Sequence, residues 1–597
     1  MHRLYLLLIG SVVGLAALLW LSLQPAAPAL PSGHFAIRDV RMFDGERFVP
    51  RANVLVRDGR IEAAGSDVRI PAGVAVVDGE GRTLLPGLID AHVHSFGDAR
   101  RDALRFGVTS VIDMFSDPRG LPAARDDRDG LANHDQADLW SAGMLATAAG
   151  GHGTQFATAV VPVDAAAQAS DWVAARRAEG SDFIKLVRED LHVYSDARHL
   201  PSLDAPTAAA LIAAAHAQGL RAVVHASAQE DARQSLADGA DGLVHVFQDA
   251  VADAGFVALA RERDAFVVPT LSVIASFAGQ SLDLAGDERL AEFLSPSQRD
   301  QLAATMGFGR RRPELYANAR ESVRRLHAVG VRILAGSDAP NPGTAHGVAL
   351  HGELAHLVAA GLTPTAALAA ATSVPATAFG ITDRGRIAPG MRADLLLVEG
   401  DPEQDIEATR AIVAVWKNGQ PVDRKGEPEV TRTLRAGVLG DFDDAQQHVD
   451  DRRWLPTSDR MAGGRSEAAL ARIADGAAGS AAALRVQGRV DAGSPQRWAG
   501  VFFNPGDAPM QPVDARGLSR LRLHLRGDGK PLAVLLFSGA SGAPPQVRQI
   551  STGADWSELN LPLTEFAGVD LARLRGIAIS TSEPGAFSFD LDQITVE

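Results

Sequence analysis

Two histidines one residue apart, His92 and His94, close the apolar run Leu84-Leu85-Pro86-Gly87-Leu88-Ile89-Asp90-Ala91-His92-Val93-His94. The run reads as a buried strand, and residues two apart on a strand point the same way, so both imidazoles can face one metal ion. Neutral imidazole is the commonest protein ligand for zinc-like cations. Further nitrogen and oxygen donors recur at later apolar runs. They are Lys185 within Phe183-Ile184-Lys185-Leu186-Val187, His225 after Ala222-Val223-Val224, His245 after Gly242-Leu243-Val244 and Asp338 after Ala335-Gly336-Ser337. Four histidines at matching strand ends are the pattern of a metal site rather than of scattered packing residues. The lysine is the odd member, because ammonium repels a dication and has no lone pair to offer. Burial in an apolar strand lowers its pKa. The neutral amine can then take up carbon dioxide as a carbamate, an anionic two-oxygen ligand able to bridge two metals. The alternative is a lysine paired with a carboxylate beside a single metal.

These donors need a scaffold that gathers strand ends. Beginning with the His92 strand, apolar runs at 108–113, 144–147, 183–187, 222–225, 242–245, 266–269 and 332–338 make eight strands, with alanine-rich helical stretches between them. Pro206 to Gln218 is one such helix, opened by a proline and ended by Gly219 as a C-cap. Alternating β and α over residues 84–384 predicts a (β/α)8 TIM barrel, whose active site lies at the C-terminal strand ends. Residues 280–328, between strands seven and eight, exceed what a crossover needs and predict a helical insertion over the barrel mouth, a candidate lid or else a plain surface insertion.

On either side of the barrel, 34–83 and 385–424 alternate apolar and polar positions around turns such as Asp58-Gly59, and predict one composite small β-sandwich. A polar linker at 425–440 leads to 441–597, where strand-like runs at 521–525, 532–537 and 576–579 predict an all-β sandwich or jelly roll. A chain of 597 residues is indeed too long for one core. Its net charge of −15 offers no basic stripe, so nucleic acid is not an expected partner, and Arg310-Arg311-Arg312 reads as a solvated helix face. The absence of cysteine excludes disulfides, thiolate ligands and a cysteine nucleophile. Leu4 to Leu23, after Arg3, is almost wholly apolar, and roughly 20 helical residues span about 30 Å of hydrocarbon. Ala27-Pro28-Ala29 has the form of a cleavage site. Residues 1–30 therefore predict export, as a cleaved signal peptide or a membrane anchor, with the bulk of the chain facing the periplasm or the exterior.

The Pro86 to His94 opening, the later His225 and His245, the Gly336-Ser337-Asp338 strand, Ala370 to Ala376 and Gly385 to Leu395 together resemble the amidohydrolase superfamily. The likeness runs over about 34–422 and is greatest to the imidazolonepropionase-related group that includes prolidase-like metal-dependent dipeptidases. It implies two divalent ions, zinc being expected. His92, His94 and Asp338 would hold one, His225 and His245 the other, with carbamylated Lys185 bridging. His152, in Gly150-Gly151-His152-Gly153, would contact a substrate carbonyl or carboxylate, with Tyr194 a weaker candidate for the same work. The implied reaction is hydrolysis of an amide or peptide bond in a small molecule or dipeptide by a hydroxide bridging the ions. Asp338 would take its proton and pass it to the leaving amine. The same hydroxide attacks a cyclic amide, lactone or ester, so those substrates stay open. A non-catalytic binding or assembly barrel is the alternative of another class, and the intact ligand set argues against it. His216, His327, His351 and His356 fall on helix-like stretches and read as surface or packing residues, while His346 follows strand eight near the mouth.

Asp441-Phe442-Asp443-Asp444, Trp454, Ser458 to Ser466 and Gly585 to Asp592 resemble the complex I intermediate-associated protein 30 (CIA30) domain, a galactose-binding-like β-sandwich. The likeness implies a saccharide stacked on Trp454 or Trp498, or a protein partner. The favoured reading makes the tryptophans core residues and lets the domain pack on the barrel or dock a partner.

Overall fold

A computed structural model describes residues 30–154, 160–194, 199–305, 312–425, 432–443, 453–462, 465–493, 497–506, 510–539 and 544–597. The apolar run expected to direct export, residues 426–431 of the expected linker, and Arg310 and Arg311 lie outside the described residues. No helix among the described residues is long and apolar enough to cross a membrane.

The alternating residues before the barrel form β1 (His34–Phe43), β2 (Phe48–Arg57), β3 (Arg60–Gly65), β4 (Ala75–Asp78) and β5 (Arg82–Pro86). Asp58 and Gly59 join β2 to β3 with φ of 50° and 78°, the left-handed pair that a two-residue hairpin turn requires.

The barrel strands are β6 (Leu88–Val93), β7 (Val108–Asp113), β8 (Asp138–Ser141), β9 (Ile184–Val187), β10 (Ala222–His225), β11 (Gly242–Val244), β12 (Phe266–Val268) and β13 (Arg332–Ile333). They run parallel in two arcs, β6 to β8 and β9 to β13. Bridges between Ala146 and Leu186 and between Val93 and Ala339 join the arcs into a ring. The third strand is therefore Asp138–Ser141, and 144–147 is its irregular continuation, of which Ala146 alone meets β9. Gly143, at φ 61°, breaks the run between them. The eighth strand is shorter than the expected 332–338, and Asp338 stands five residues past its end. The insertion is shorter too: Pro313–Ala328 is an ordinary crossover helix with Leu315, Ala319, Val323 and Leu326 buried along one face, and before it Leu284, Leu290 and Leu294 tie the insertion to the barrel core.

After the barrel, β14 (Leu395–Glu399), β15 (Ile412–Lys417) and β16 (Gln420–Pro421) extend the first sheet through β5. Both flanks thus share one eight-stranded sheet in place of two facing ones. It curls back on itself, with Ile61 N donating to Met391 O at 2.8 Å and Ala393 N to Gly59 O at 2.9 Å. Buried Trp416 stacks on Phe35 inside the curl, ring centroids 5.4 Å apart. Lys417 reaches the barrel wall, where its buried ammonium meets Asp138 at 2.7 Å and Asp394 at 3.0 Å.

Residues from 437 onward form two antiparallel sheets, of six and five strands. Val486, Leu523 and Leu591 from one and Val501, Val534 and Ile579 from the other meet in one apolar core. Trp454 belongs to that core, between Phe442 and Phe503 with its indole N–H on Leu439 O, so it is no stacking platform for a saccharide. Trp498 is half-buried, its indole directed at Thr457 Oγ1.

Candidate metal centre

His92 and His94 leave the C-terminal end of β6 side by side, and Asp338 meets them from beyond β13. One donor atom from each lies within 4.8 Å of the other two. The Nε2 atoms of His92 and His94 are 3.3 and 3.2 Å from Asp338 Oδ1. Among the described residues, both ring nitrogens of His92 and Asp338 Oδ1 are buried with no hydrogen-bond partner. An unpaired buried polar atom costs about 1–3 kcal/mol. His92 Nε2 and Asp338 Oδ1, converging with His94 Nε2, are what a divalent cation would satisfy, so the residues fit the ion that the motifs imply. Burial takes His92 down to about 3, leaving a neutral imidazole with a lone pair to give. For Asp338 burial works the other way, but the facing His92 and His245 outweigh it and hold the carboxyl well below its usual range.

The backbone beneath this cluster is clamped by Asp90, which sequence reasoning did not single out. Its Oδ1 accepts from Ser337 N (3.0 Å) and His92 N (3.2 Å), and its Oδ2 from Ser337 Oγ (2.6 Å), tying β6 to the stretch that carries Asp338. Burial raises Asp90 to about 7. The two stretches approach closely because residue 336 is glycine; a Cβ there would stand 2.9 Å from His92 N. Asp113, at the end of β7, accepts from Ser95 N at 2.7 Å and so fixes the residue after His94.

His245 lies next to this cluster, its Nε2 3.9 Å from Asp338 Oδ2 and its ring 4.6 Å from that of His92. Its Nδ1 is 2.7 Å from Thr270 Oγ1, which orients the ring. His225 meets His245 edge to face at 4.5 Å. Its Nε2 stands 3.3 Å from Oε2 of Glu189, a second residue that sequence reasoning missed. Lys185 is 2% exposed. Burial lowers it to about 8 against the pull of Asp338 and Asp113, which leaves a fraction of neutral amine near pH 7. The His152 ring lies 5.2 Å from that of His225, and burial takes its pKa to about 3. Tyr194 packs edge-on against Phe277, and burial raises its hydroxyl well above the usual range, with Gln248 and Ser227 as hydrogen-bond partners.

The structure thus brings all eight residues singled out by the sequence to one end of the barrel, while the close three-donor cluster of His and carboxylate groups among the described residues is His92, His94 and Asp338. Other histidines do structural work. His346 Nε2 is 3.1 Å from His94 O, His351 lies between Thr409 Oγ1 and Phe106 O, His356 meets the Tyr316 hydroxyl and His216 meets Asp241.

A profile described as the amidohydrolase family matches residues 83–423. The imidazolonepropionase of Cereibacter sphaeroides is 27% identical over 391 residues, which cover 61% of this chain and 92% of that one. The imidazolonepropionase of Deinococcus deserti is 27% identical over 438 residues, covering 66% and 96%. Among solved structures, a putative prolidase from Bifidobacterium longum superposes with a TM-score of 0.54 at 25% identity, over 67% of this chain and 96% of its own. A Xaa-Pro dipeptidase with bound methionine gives 0.53 at 21% identity over 66% and 100%, a likeness of fold.

Proposed function

This chain belongs to the amidohydrolase family and is a hydrolase of carbon–nitrogen bonds, and from that premise we propose that it cleaves an amide or peptide bond in a small molecule or dipeptide outside the cytoplasm. The observation that carries the reading is the set of buried, unpaired donor atoms on His92 and Asp338, with His94 beside them. His92, His94 and Asp338 would hold one divalent ion, zinc being the ion such donors suit, and His225 and His245 a second. A divalent ion held there would lower the pKa of water and polarise a carbonyl. Asp338, kept ionised, accepts the proton of the attacking water and returns it to the leaving nitrogen. His152, neutral beside His225, donates its N–H to the substrate's carbonyl or carboxylate oxygen, and Tyr194 is the weaker candidate for the same contact. The buried, partly neutral amine of Lys185 supports a bridging carbamate. The Leu4 to Leu23 run supports export. For the C-terminal domain, the two sheets around one core support a galactose-binding-like sandwich of the CIA30 kind.

A cyclic amide, lactone or ester would engage the same residues, and the similarity to imidazolonepropionases alongside a prolidase-like structure is reason to test both substrate classes together. Elemental mass spectrometry of the protein and of His92→Ala, with a screen of dipeptides, cyclic imides and lactones, tests the reading. Bound zinc that falls in the variant, together with turnover of one class, is expected. A wild-type protein that binds no divalent ion and hydrolyses nothing would overturn it. Cell fractionation tests the export, which a cytosolic full-length protein would refute.

A further inference from the structure

Glu189, four residues past Lys185 and just beyond the end of β9, has no part in the ligand set above. We propose, resting on the metal-centre reading, that Glu189 is a carboxylate ligand which completes with His225 a half-site for the second divalent ion. Residues alternate faces along a strand, so Lys185, Val187 and Glu189 share one face of β9 and its continuation. The strand pairing sets Val187 opposite His225, and Arg188 N donates to His225 O at 2.9 Å, which carries Glu189 past the His225 ring.

The Glu189 side chain is 1% exposed, a place where a carboxylate needs partners. Leu191 N donates to Oε1 at 2.6 Å and the Ser227 hydroxyl also contributes. Neither brings a positive charge. The adjacent guanidinium of Arg188 is taken by Asp231 at 2.6 Å, and His225 is the one ion-pair partner of Glu189 among the described residues. The His225 imidazole, hydrogen-bonded to Oε2, is thus the one group among the described residues placed to balance that charge, and a cation seated between the two would do the same.

The spacing also fits a divalent cation. A hydrogen bond from a charged nitrogen to a carboxylate is about 2.7–2.9 Å long. Two donors each about 2.0–2.2 Å from zinc at the tetrahedral angle stand about 3.4 Å apart. The hydrogen bond between His225 Nε2 and Glu189 Oε2 is long, at 3.3 Å, which is close to the second value and repeats the 3.3 and 3.2 Å that separate His92 and His94 from Asp338. With His245 edge-on to His225 and Lys185 on the same face, the second ion would have a protein carboxylate whether or not the lysine is carbamylated.

The test is a zinc and cobalt titration of the metal-stripped full-length protein, read as stoichiometry and affinity by calorimetry and cobalt absorption, for wild type, Glu189→Gln and Glu189→Asp. Wild type should take two ions. In Glu189→Gln the tighter ion, with its cobalt spectrum, should be unchanged and the weaker should bind about 100-fold less tightly, with Glu189→Asp between the two. If Glu189→Gln fails to fold, judged by thermal melting, Glu189→Asp carries the test alone. Two ions at unchanged affinity in the variant that folds would overturn the proposal and leave the metal centre standing. So would a single ion in wild type, or intact ion binding with a raised KM confined to amine-bearing dipeptides, which would make Glu189 a substrate-ammonium site. A wild-type protein that takes no ion would remove the metal-centre reading and Glu189 with it.

Discussion

Asp338 sits at φ 54°, in the left-handed region where aspartate and asparagine are tolerated far better than larger residues. Its backbone is pinned by Asp338 N donating to His92 O at 2.8 Å. Asparagine therefore keeps the conformation and one oxygen donor, and loses the ability to accept and return a proton. Asp338→Asn is expected to melt close to wild type, retain bound metal, and lose turnover by about 100- to 10,000-fold on whichever substrate the screen identifies. Near-wild-type turnover would remove Asp338 from proton transfer. The principal donors here were legible because their chemistry is written in residue type and spacing: His92 and His94 two apart, His225 and His245 closing apolar runs, Lys185 inside one. Asp90, Glu189 and Thr270 were not. Asp90 works through Ser337, 247 residues away, and nothing in an apolar run says that its one aspartate will meet a serine from the far end of the barrel.

The helix Leu271–Ala278 shows how an element can position a ligand from outside the site. Its first turn is capped by Glu353, from the helix Val348–Ala359, whose carboxyl accepts from Leu271 N (2.9 Å), Ser272 N (2.7 Å) and Ser272 Oγ (2.8 Å). The cap holds the start of the helix just after Thr270, a β-branched residue at φ 53° whose hydroxyl orients His245. Burial nevertheless pushes Glu353 up to about 7. Its folded pKa lies above the unfolded value, so folding retains a proton that the unfolded chain releases. The stability this contributes is full below about pH 4.5 and is lost as pH rises through about 7. Glu353→Gln should flatten that decline by up to about 3 kcal/mol relative to wild type across this window, and should weaken metal binding as the Thr270 turn loosens. Parallel stability profiles for the two proteins, by denaturant melts from pH 4.5 to 7.5, would contradict the assignment. Elements were legible where the apolar run was pure. The third strand was misplaced because Asp-Leu-Trp-Ser does not read as a barrel strand; Asp138 is buried there by its pairing with Lys417 and Arg384, and Trp140 lies between the guanidinium groups of Arg128 and Arg384.

At the scale of the whole molecule, the C-terminal domain reaches the metal centre through a short relay of contacts. Arg573 meets Asp300 at 2.8 Å, on the helix Pro296–Ala303 of the insertion between β12 and β13. From that helix Gln298 Nε2 donates to His346 O at 3.0 Å, and Gln301 O accepts from Gly343 N at 2.8 Å. The His346 ring in turn stands against His94 O at 3.1 Å. Both partners of the Arg573–Asp300 pair are about a quarter exposed, at 23% and 26%, so the pair contributes at most about 1 kcal/mol to global stability. Its effect should instead be local, on the order of the insertion helix over the barrel mouth. Arg573→Ala is expected to leave bound metal unchanged and to shift Tm by no more than about 3 °C, since a chain of this size moves by roughly 2–4 °C per kcal/mol or less. Amide exchange within 296–303 and 343–346 should quicken by up to about fivefold, the factor that 1 kcal/mol allows at 25 °C. Unchanged exchange in both segments would show that the insertion is held by the barrel alone and that the C-terminal domain has no influence on the loop that carries His346.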